Sequence, residues 1–423
     1  MKTSPLRLTP LLLSVSLVTA AATDWPQWRG VNRDGISPES GLLKEWPADG
    51  PPLAWTLKGL GSGMGSVAIH GERVFVLGKR GKDGAFIGAF DLATQKEAWS
   101  ARVSESGGDP NGTPTVDGGQ VFAVSKDGKL LCCAEADGKE LWRKDFAADF
   151  GGKMMSGWGF SESPLVDGDK VIVIPGADDA FMVALDRKTS AVLWKSAAPA
   201  ATGRGKDGAG YTGAVISNAG GIRQYITLAG RGVTSVSAAD GKLLWHYNRV
   251  ANGTANIPTP LAWDDYVFCS SGYGTGAALL KIVKAESGPS PLEAQEQYFL
   301  NASTFQNHHG GMVRIGDYIY AGTGHNNGFP ICLEWKTGKV TWNEPRGPGK
   351  ESAAVIAADG NLYFRYQDGT MALIGATPEG YQLHGSFSFK AIGASWPHPA
   401  IHDGRLFLRN QDSLLCYDVR QKP

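Results

Sequence analysis

Cysteine is scarce in this chain of 423 residues, which contains only five, and an odd number cannot pair completely. No Cys-x-x-Cys-His stretch is present, which excludes attachment of a c-type haem. No Gly-x-Ser-x-Gly elbow lies between a strand and a helix pattern, which argues against a Ser/His/Asp hydrolase. Beyond the first 22 residues, no apolar run approaches the roughly 18 residues that a membrane helix needs. The sequence therefore predicts a protein without a membrane span.

An excess of charge is also missing, because 41 basic side chains stand against 41 acidic ones. Residues 1–22 contain Lys2, Arg7, the apolar run 11–18 and a small-residue end, which is the pattern of a cleaved secretory signal peptide. Without it the chain keeps 39 basic side chains, and this near balance argues against nucleic acid as a partner. The first cysteine is Cys132, so no acylatable cysteine follows the signal. We expect a periplasmic or secreted protein.

One motif is abundant: a small residue, an acid or polar residue, a tight turn with Lys, and a Trp ten positions after the small residue. Five copies end at Trp99, Trp142, Trp194, Trp245 and Trp342. The gaps between them are 43, 52, 51 and 97 residues, the last being two periods, and Phe299 is predicted to take the missing Trp position. A period of about forty to fifty residues with four short apolar runs is typical of a β-propeller blade.

Each predicted blade contains one such small residue, so these residues give the number of blades. They are Ala89, Cys132, Ala184, Ser235, Ala278, Cys332, Ala372 and Cys416. The Trp belonging to Cys416 would fall beyond Pro423, whereas residues 52–58 form a fourth-strand pattern around Trp55 with no blade before it. The prediction is an all-β, eight-bladed propeller with four antiparallel strands per blade, whose last blade is closed by this N-terminal strand. In blade seven, 381–384 is predicted to replace the docking strand. Residues 23–51 form an arm whose Trp side chains pack, and 52–423 form one domain.

The pattern Ala-x-Asp-x-x-Thr-Gly-Lys-x-x-Trp resembles the tryptophan-docking repeat of pyrroloquinoline-quinone-like (PQQ-like) propellers, over nearly all of the chain after residue 50. That family includes quinoprotein alcohol dehydrogenases and the outer-membrane assembly lipoprotein of Gram-negative bacteria. The missing cysteine after the signal departs from the lipoprotein. The resemblance implies the fold, and function must be argued from the site.

The resemblance also bears on the adjacent Cys132 and Cys133, because quinoprotein dehydrogenases carry a vicinal disulfide over their cofactor. A regular strand instead directs neighbouring side chains to opposite faces. Three of the cysteines occupy the small position of their blade, where a thiol serves as a small apolar group. All five are predicted to be free thiols, with the vicinal bridge as the alternative.

Long, Gly-rich connections that lead into each blade are expected to meet at one face of the ring. The residues predicted to surround this funnel and bind a ligand are His308, His309, His325, Asn326, Trp158, Trp396 and His398. No Cys/His/Asp spacing of a known metal site is present, so no metal is expected. Aromatic and imidazole groups together suit a planar or sugar-like ligand, or a loop of a partner.

Three functions remain open. The first is a monomeric, non-catalytic propeller that binds a protein or polymer partner at the funnel and carries no cofactor. The second is a dehydrogenase that uses PQQ with calcium, as the resemblance implies. The third is a carbohydrate-active enzyme with paired carboxylates. The funnel loops hold few Asp and Glu, so the sequence favours the first.

Overall fold

The computed structural model describes residues 24–105, 107–393 and 395–421, and these form eight sheets in a closed ring. Each sheet contains four antiparallel strands, and one sheet carries a fifth, parallel strand from the arm. Helix is limited to Phe146–Phe150 and the two 3-10 turns Ala219–Gly221 and His325–Asn327 among the described residues. The predicted eight-bladed, all-β propeller is confirmed.

Blades one to four follow one another along the chain. Their strands are Ala68–His70, Arg73–Lys79, Ala85–Asp91 and Glu97–Ser104; Thr115–Asp117, Gln120–Val124, Lys129–Ala134 and Glu140–Asp145; Leu165–Asp167, Lys170–Val173, Met182–Asp186 and Val192–Ser196; and Val215–Ser217, Gln224–Ala229, Gly232–Ser237 and Leu243–Tyr247. The innermost strands are short because they crowd around the channel, and the hydrophobic core lies between adjacent blades.

Blades five to eight complete the ring. Their strands are Leu261–Trp263, Tyr266–Ser271, Gly276–Lys284 and Leu292–Leu300; Met312–Ile315, Tyr318–Thr323, Phe329–Glu334 and Val340–Asn343; Ala353–Ala358, Asn361–Tyr366, Thr370–Gly375 and Leu383–Ser388, with Ile36–Ser37 at its inner edge; and Ala400–His402, Arg405–Asn410, Ser413–Asp418 and Leu53–Lys58. The fourth strand of blade eight, Leu53–Lys58, precedes blade one in the sequence.

Blade one shows why the motif has its spacing. Ala89 pairs with Trp99, and the small side chain leaves room for the indole, which packs against Phe75 with ring centroids 5.9 Å apart. Trp99 Nε1 donates a hydrogen bond to the backbone oxygen of Glu135 in the next blade at 2.9 Å. A Cβ on Gly138 would lie 2.4 Å from the indole, so the turn glycine is required for contact between the blades. Trp142 and Trp342 donate in the same way to the backbone oxygens of Arg187 and Thr377, so these three Trp side chains each join their own blade to the following one.

Ring closure follows the prediction. Trp55 pairs with Cys416, and its ring centroid lies 5.8 Å from that of Phe407. The strand Leu53–Lys58 is thus the fourth strand of blade eight, whose other three strands come from the C-terminal part of the chain. It pairs with the third strand, Ser413–Asp418, whose outer edge would otherwise be open.

The residue that docks in blade five differs from the expectation. Leu279, rather than Ala278, takes the small position, and it pairs with Tyr298, whose hydroxyl donates to the backbone oxygen of Trp335 at 2.6 Å. Phe299 was therefore the wrong residue. It faces the other side of the sheet, where the Arg249 guanidinium lies 3.8 Å from its ring centroid. The long third hairpin replaces the short turn that sets the register in blades one to four and in blade six, so counting residues gave an error of one.

Blade seven is shifted in the same way. Leu373, rather than Ala372, is in the small position, and it pairs with Gly385 instead of a Trp. The fourth strand begins at Leu383, so the predicted segment 381–384 contributes only its end. Trp46 of the arm covers Gly385 and packs against Tyr363 with centroids 5.8 Å apart, close to the 5.9 Å of the regular pair in blade one. The docking Trp of blade seven is supplied by the arm.

Residues 25–37 of the arm contact the inner strands or the connections that lead into them, and with Leu43 the arm contacts all eight blades. Its contacts, in blade order, are Trp25 with Ile69, Pro26 with Val116, Arg33 with Ser163 and Ala214, Trp28 with Thr259, Arg29 with Met312, Ile36 with Ala357 and Leu43 with Val419. Residues of the arm line two separate cavities: Trp28 lines the main one, and residues 32–34 with Ile36 line a second one. The arm therefore blocks the channel and gives the main cavity a floor.

All five cysteines are buried free thiols, as predicted. Cys132 faces blade three and Cys133 faces blade one, so the adjacent pair diverges as a regular strand requires. The predicted signal peptide, 1–22, lies outside the described residues. Within the part of the chain that the structure describes, no helix has the length and apolar character to cross a membrane.

Candidate functional site

A cavity opens on the face of the ring where the connections into the blades converge, opposite the arm. It has a volume of about 1050 Å³ including the space at its mouth. Its seventeen lining residues are Trp28, Met64, Asn111, Trp158, Ser161, Ser163, Tyr211, Thr212, Gly213, Ala255, Ile257, Thr259, Tyr273, His308, His309, Trp396 and His398. None of them is Asp, Glu, Lys or Arg. We call this cavity the funnel.

The structure brings the seven residues predicted from the sequence together. Five of them line the funnel: Trp158, His308, His309, Trp396 and His398. His325 lies behind the wall, with its ring centroid 4.2 Å from that of His308, and Asn326 follows it in the same 3-10 turn. The expectation that connections from different blades meet at this face agrees with this placement. Ligand binding by these residues stays a prediction.

A chain of hydrogen bonds fixes His308. The Ser352 hydroxyl donates to Asn326 Oδ1 at 2.8 Å, so His308 Nδ1, at 2.6 Å from Ser352 Oγ, must act as the donor to it. His308 Nε2 then accepts from the Tyr273 hydroxyl at 3.1 Å. Both nitrogens of this imidazole are thus engaged with its neighbours. His308 holds the wall in place and leaves ligand contacts to the groups beside it.

The imidazoles are held neutral. Burial, followed by the nearby His325, lowers the pKa of His308 to about 4. Burial also lowers the pKa of His398 to about 3, and the positive Arg29 contributes in the same direction. His309 stacks on His308 with centroids 3.9 Å apart, and burial together with the neighbouring imidazoles keeps its pKa well below the ordinary value. At neutral pH the funnel therefore presents an uncharged wall.

Several polar atoms of this wall lack hydrogen-bond partners among the described residues. They are both ring nitrogens of His398, Nδ1 of His309 and Oδ1 of Asn111. His398 is only 3% exposed and packs against Trp28, with ring centroids 4.4 Å apart. Buried polar atoms are normally paired, because an unpaired one costs on the order of 1–3 kcal/mol. The funnel thus retains hydrogen-bonding capacity that the fold does not use.

Aromatic rings form the mouth. Trp158 is 51% exposed, and its ring centroid lies 5.8 Å from that of Trp396 in an edge-to-face arrangement. Trp396 is fixed by a hydrogen bond from its Nε1 to Gln367 Oε1 at 2.7 Å, and it also contacts His309. One indole at the mouth is therefore held in place while the other remains accessible to a ligand.

Sequence reasoning missed several lining residues. Trp28 was assigned to packing, yet it forms part of the floor and donates to Thr259 Oγ1 at 3.3 Å. Tyr273 lies in the Gly-Tyr-Gly turn of blade five with a φ of 58°, and it covers His308 and His325. The isolated Gly-Tyr-Gly turn was the available signal, because a tight turn at the end of a hairpin on this face points its side chain toward the funnel.

The funnel does not suit PQQ with calcium. Calcium prefers carboxylate oxygens, and the anionic quinone would be expected to use basic side chains, but the lining contains neither. The buried Glu162 does not line the funnel: its carboxylate accepts from the Ile174 backbone N–H, and burial raises its pKa to about 8. Among the described residues, no group of three or more His, Cys, Asp and Glu has an arrangement that could hold a metal ion. Paired catalytic carboxylates of a carbohydrate-active enzyme are likewise missing from the lining.

Comparison with known proteins bears on the family. A family model described as outer membrane protein assembly factor BamB matches residues 32–129 and 83–344. The protein of that name from Shewanella oneidensis is 25% identical over 260 residues, or 58% of this chain and 60% of the relative. The one from Marinobacter adhaerens is 27% identical over 120 residues, or 28% of this chain and 26% of the relative. The chain therefore matches less than two thirds of the length of these relatives.

Two solved structures are similar in fold. Quinohemoprotein alcohol dehydrogenase from Comamonas testosteroni aligns with a TM-score of 0.65 and 12% identity, over 95% of this chain and 81% of the other. BamB from Moraxella catarrhalis aligns with a TM-score of 0.59 and 14% identity, over 88% and 98%. At these identities the likeness shows the fold alone.

Proposed function

The chain belongs to the outer membrane protein assembly factor BamB family, and from this membership and the funnel we propose that it is a non-catalytic binding propeller. It acts in the periplasm or outside the cell, where it holds a protein or polymer partner at the funnel face. The name of its relatives, an assembly factor, suits a role in which a partner is bound rather than transformed. The ring itself is the scaffold.

The observation that carries this proposal is the uncharged lining of the funnel. General acid–base chemistry needs a titratable group poised near the working pH, and the imidazoles here have pKa values lowered to about 3 and about 4. No Asp, Glu, Lys or Arg lines the cavity to take over that role. Aromatic surface and neutral hydrogen-bonding groups are what a ligand-holding pocket requires.

A second candidate is a quinone-dependent dehydrogenase, which the likeness to the Comamonas enzyme favours. The two can be separated by adding PQQ and calcium to the purified protein and measuring dye-linked oxidation of primary alcohols. The binding proposal predicts no turnover above that of a protein-free control. Turnover that depends on both additions would overturn it.

Photocrosslinking tests where the partner binds. A benzophenone amino acid at position 158, which is 51% exposed, samples the funnel, and one at Leu193, which is 48% exposed on the outer strand of blade three, samples a blade edge. In the producing cells, we expect adducts from position 158 and not from position 193. Adducts from position 193 alone would place the binding surface at the blade edges.

The crosslinked adduct should depend on the funnel wall. Replacing His309 and Trp396 together by Ala should abolish it, because these two side chains contact each other beside the mouth, with ring centroids 4.6 Å apart. The melting temperature should stay nearly unchanged, since both residues lie in loops that lead into the blades and not in the strands themselves. If the adduct survives, or if the fold is lost with the double change, these residues are structural and the site lies elsewhere.

A further inference from the structure

We propose that the funnel takes the neutral end of a saccharide chain, held by stacking at the mouth and by hydrogen bonds at the floor. This inference rests on the proposed function, because it names the ligand class of the same site. It depends on four observations: the charge of the lining, the unpaired polar atoms, the aromatic mouth and the closed floor.

Charge excludes many other ligands. A carboxylate, phosphate or ammonium group that enters the funnel loses water and meets no side chain of opposite charge, since none of the lining residues is charged. The positive Arg29 and Arg33 do not line the funnel: Arg29 donates to the backbone oxygens of Asp34 and Met312, and Arg33 donates to backbone oxygens of blades three and four. A ligand that fits this cavity is therefore uncharged where it is buried.

The unpaired atoms exclude a purely apolar ligand. A neutral imidazole has one N–H donor and one acceptor nitrogen, and His398 lines the funnel with neither nitrogen in a well-formed hydrogen bond among the described residues, although a backbone group of His309 is close enough to raise its pKa. His309 Nδ1 and Asn111 Oδ1 add two more polar atoms. A lipid tail would leave all of these unpaired. A sugar hydroxyl both donates and accepts, so it can satisfy either member of such a pair.

The mouth suits the apolar face of a sugar ring. Trp158 is half exposed, and one part of its ring contacts the Lys126 ammonium, 5.7 Å from the ring centroid. An indole offers a rigid, flat surface with little conformational entropy to lose. The C–H face of a pyranose can pack on it while the hydroxyl groups point toward the floor. Combined stacking and hydrogen bonding is the geometry that a neutral saccharide needs.

The floor determines which part of the saccharide can enter. Trp28 lies at the base of the funnel, and the arm around it contacts the inner strands of blades one to seven or the connections that lead into them. A polymer cannot thread through a channel that is blocked in this way. The funnel can therefore accept only a chain end or a side branch.

The test uses the intact secreted protein and a panel of defined small molecules. The panel contains neutral mono-, di- and trisaccharides, glucuronic acid and glucosamine as charged counterparts, free adenine and uracil, and capped neutral tripeptides. Binding is measured by titration calorimetry and by tryptophan fluorescence. We expect at least one neutral saccharide to bind, and its charged counterpart to bind about tenfold more weakly or not at all.

Variants assign the site. Trp158→Ala should weaken saccharide binding about tenfold and Trp158→Phe much less, because a ring is retained. Leu193→Ala, at the matched exposed position on a blade edge, should have no effect. If tripeptides or nucleobases bind in a Trp158-dependent way and saccharides do not, the saccharide inference is overturned while the funnel remains the binding surface. If saccharides bind equally well to Trp158→Ala, the inference is wrong about the site.

Discussion

Blade one and blade seven solve the same packing problem with residues from different places in the sequence. In blade one, the small Ala89 and its Trp99 lie ten residues apart on adjacent strands. In blade seven, Leu373 faces Gly385, and the indole comes from Trp46, more than 300 residues earlier in the chain. The two aromatic pairs have nearly equal centroid distances, 5.9 Å and 5.8 Å. The gap between blades, rather than the local motif, is what requires an aromatic ring.

The side of the ring where the chain closes depends on distant segments in other ways too. Arg365 of blade seven donates to the backbone oxygen of Pro397, and Arg409 of blade eight donates to those of Gly65 and Leu77 in blade one. These buried guanidinium groups have backbone oxygens for partners, so they bridge blades without a carboxylate. At the closure of the ring, long side chains and the arm thus add bridges to the contacts that the repeat motif supplies.

The largest effect is expected from removing the indole that the arm supplies. Trp46→Ala should destabilise the fold by about 3 to 5 kcal/mol, as other buried large aromatic truncations do, because it empties the space over Gly385. Trp142→Ala is the matched control in a regular blade, since Trp142 and Trp46 are similarly buried. Chemical denaturation should give similar losses for both. A loss below about 1 kcal/mol for Trp46→Ala alone would mean that the arm only covers a blade that is already complete.

Trp55 extends the comparison to blade eight, where the N-terminal strand completes the sheet. Trp55→Ala should also cost about 3 to 5 kcal/mol, at the lower end because this side chain is only partly buried. The free energy of unfolding measures it, with Leu53→Ala as the control at an exposed position of the same strand. If Trp55→Ala costs less than about 1 kcal/mol, as ordinary surface changes do, the strand pairing does not hold the ring closed.

Sequence reasoning worked wherever the chain solves the packing problem locally. The eight blades, the closing strand and the buried thiols follow from the Trp spacing and from strand geometry. Blades five and seven were each misplaced by one residue because they lack the turn that sets the register. Docking by Trp46 could not be predicted, since no local pattern pairs an arm residue with Gly385. The loops of the funnel could be assigned to one face, but Trp28 belongs to it through tertiary contacts alone.

The third prediction concerns the free energy of unfolding as a function of pH, which should depend on His398 in the loop that enters blade eight. Burial lowers its folded-state pKa from 6.5 to about 3, so below pH 6.5 the unfolded chain binds a proton that the folded chain does not. Stability should therefore be complete above pH 6.5 and fall as the pH drops toward 4, by up to about 1.4 kcal/mol per pH unit for one such group. Denaturation of wild type and His398→Gln at pH 7, 5.5 and 4.5 isolates this residue. Equal slopes for the two proteins would show that the ring is protonated in the folded state.

The smallest effect is expected in blade five, where the docking ring is a Tyr. Tyr298→Trp should change the free energy of unfolding by less than about 1 kcal/mol, because the equivalent position holds Trp in most other blades and a nearby carbonyl, that of Trp335, can accept from the indole N–H. Phe299→Trp, the same replacement one residue later, should instead cost about 1 to 3 kcal/mol, because it enlarges a side chain packed under Arg249 on the other face. The difference in unfolding free energy between these two variants shows whether Tyr298 or Phe299 is the docking residue. If Phe299→Trp were the tolerated change, the register predicted from the sequence would be correct, and blade five would dock like blade one.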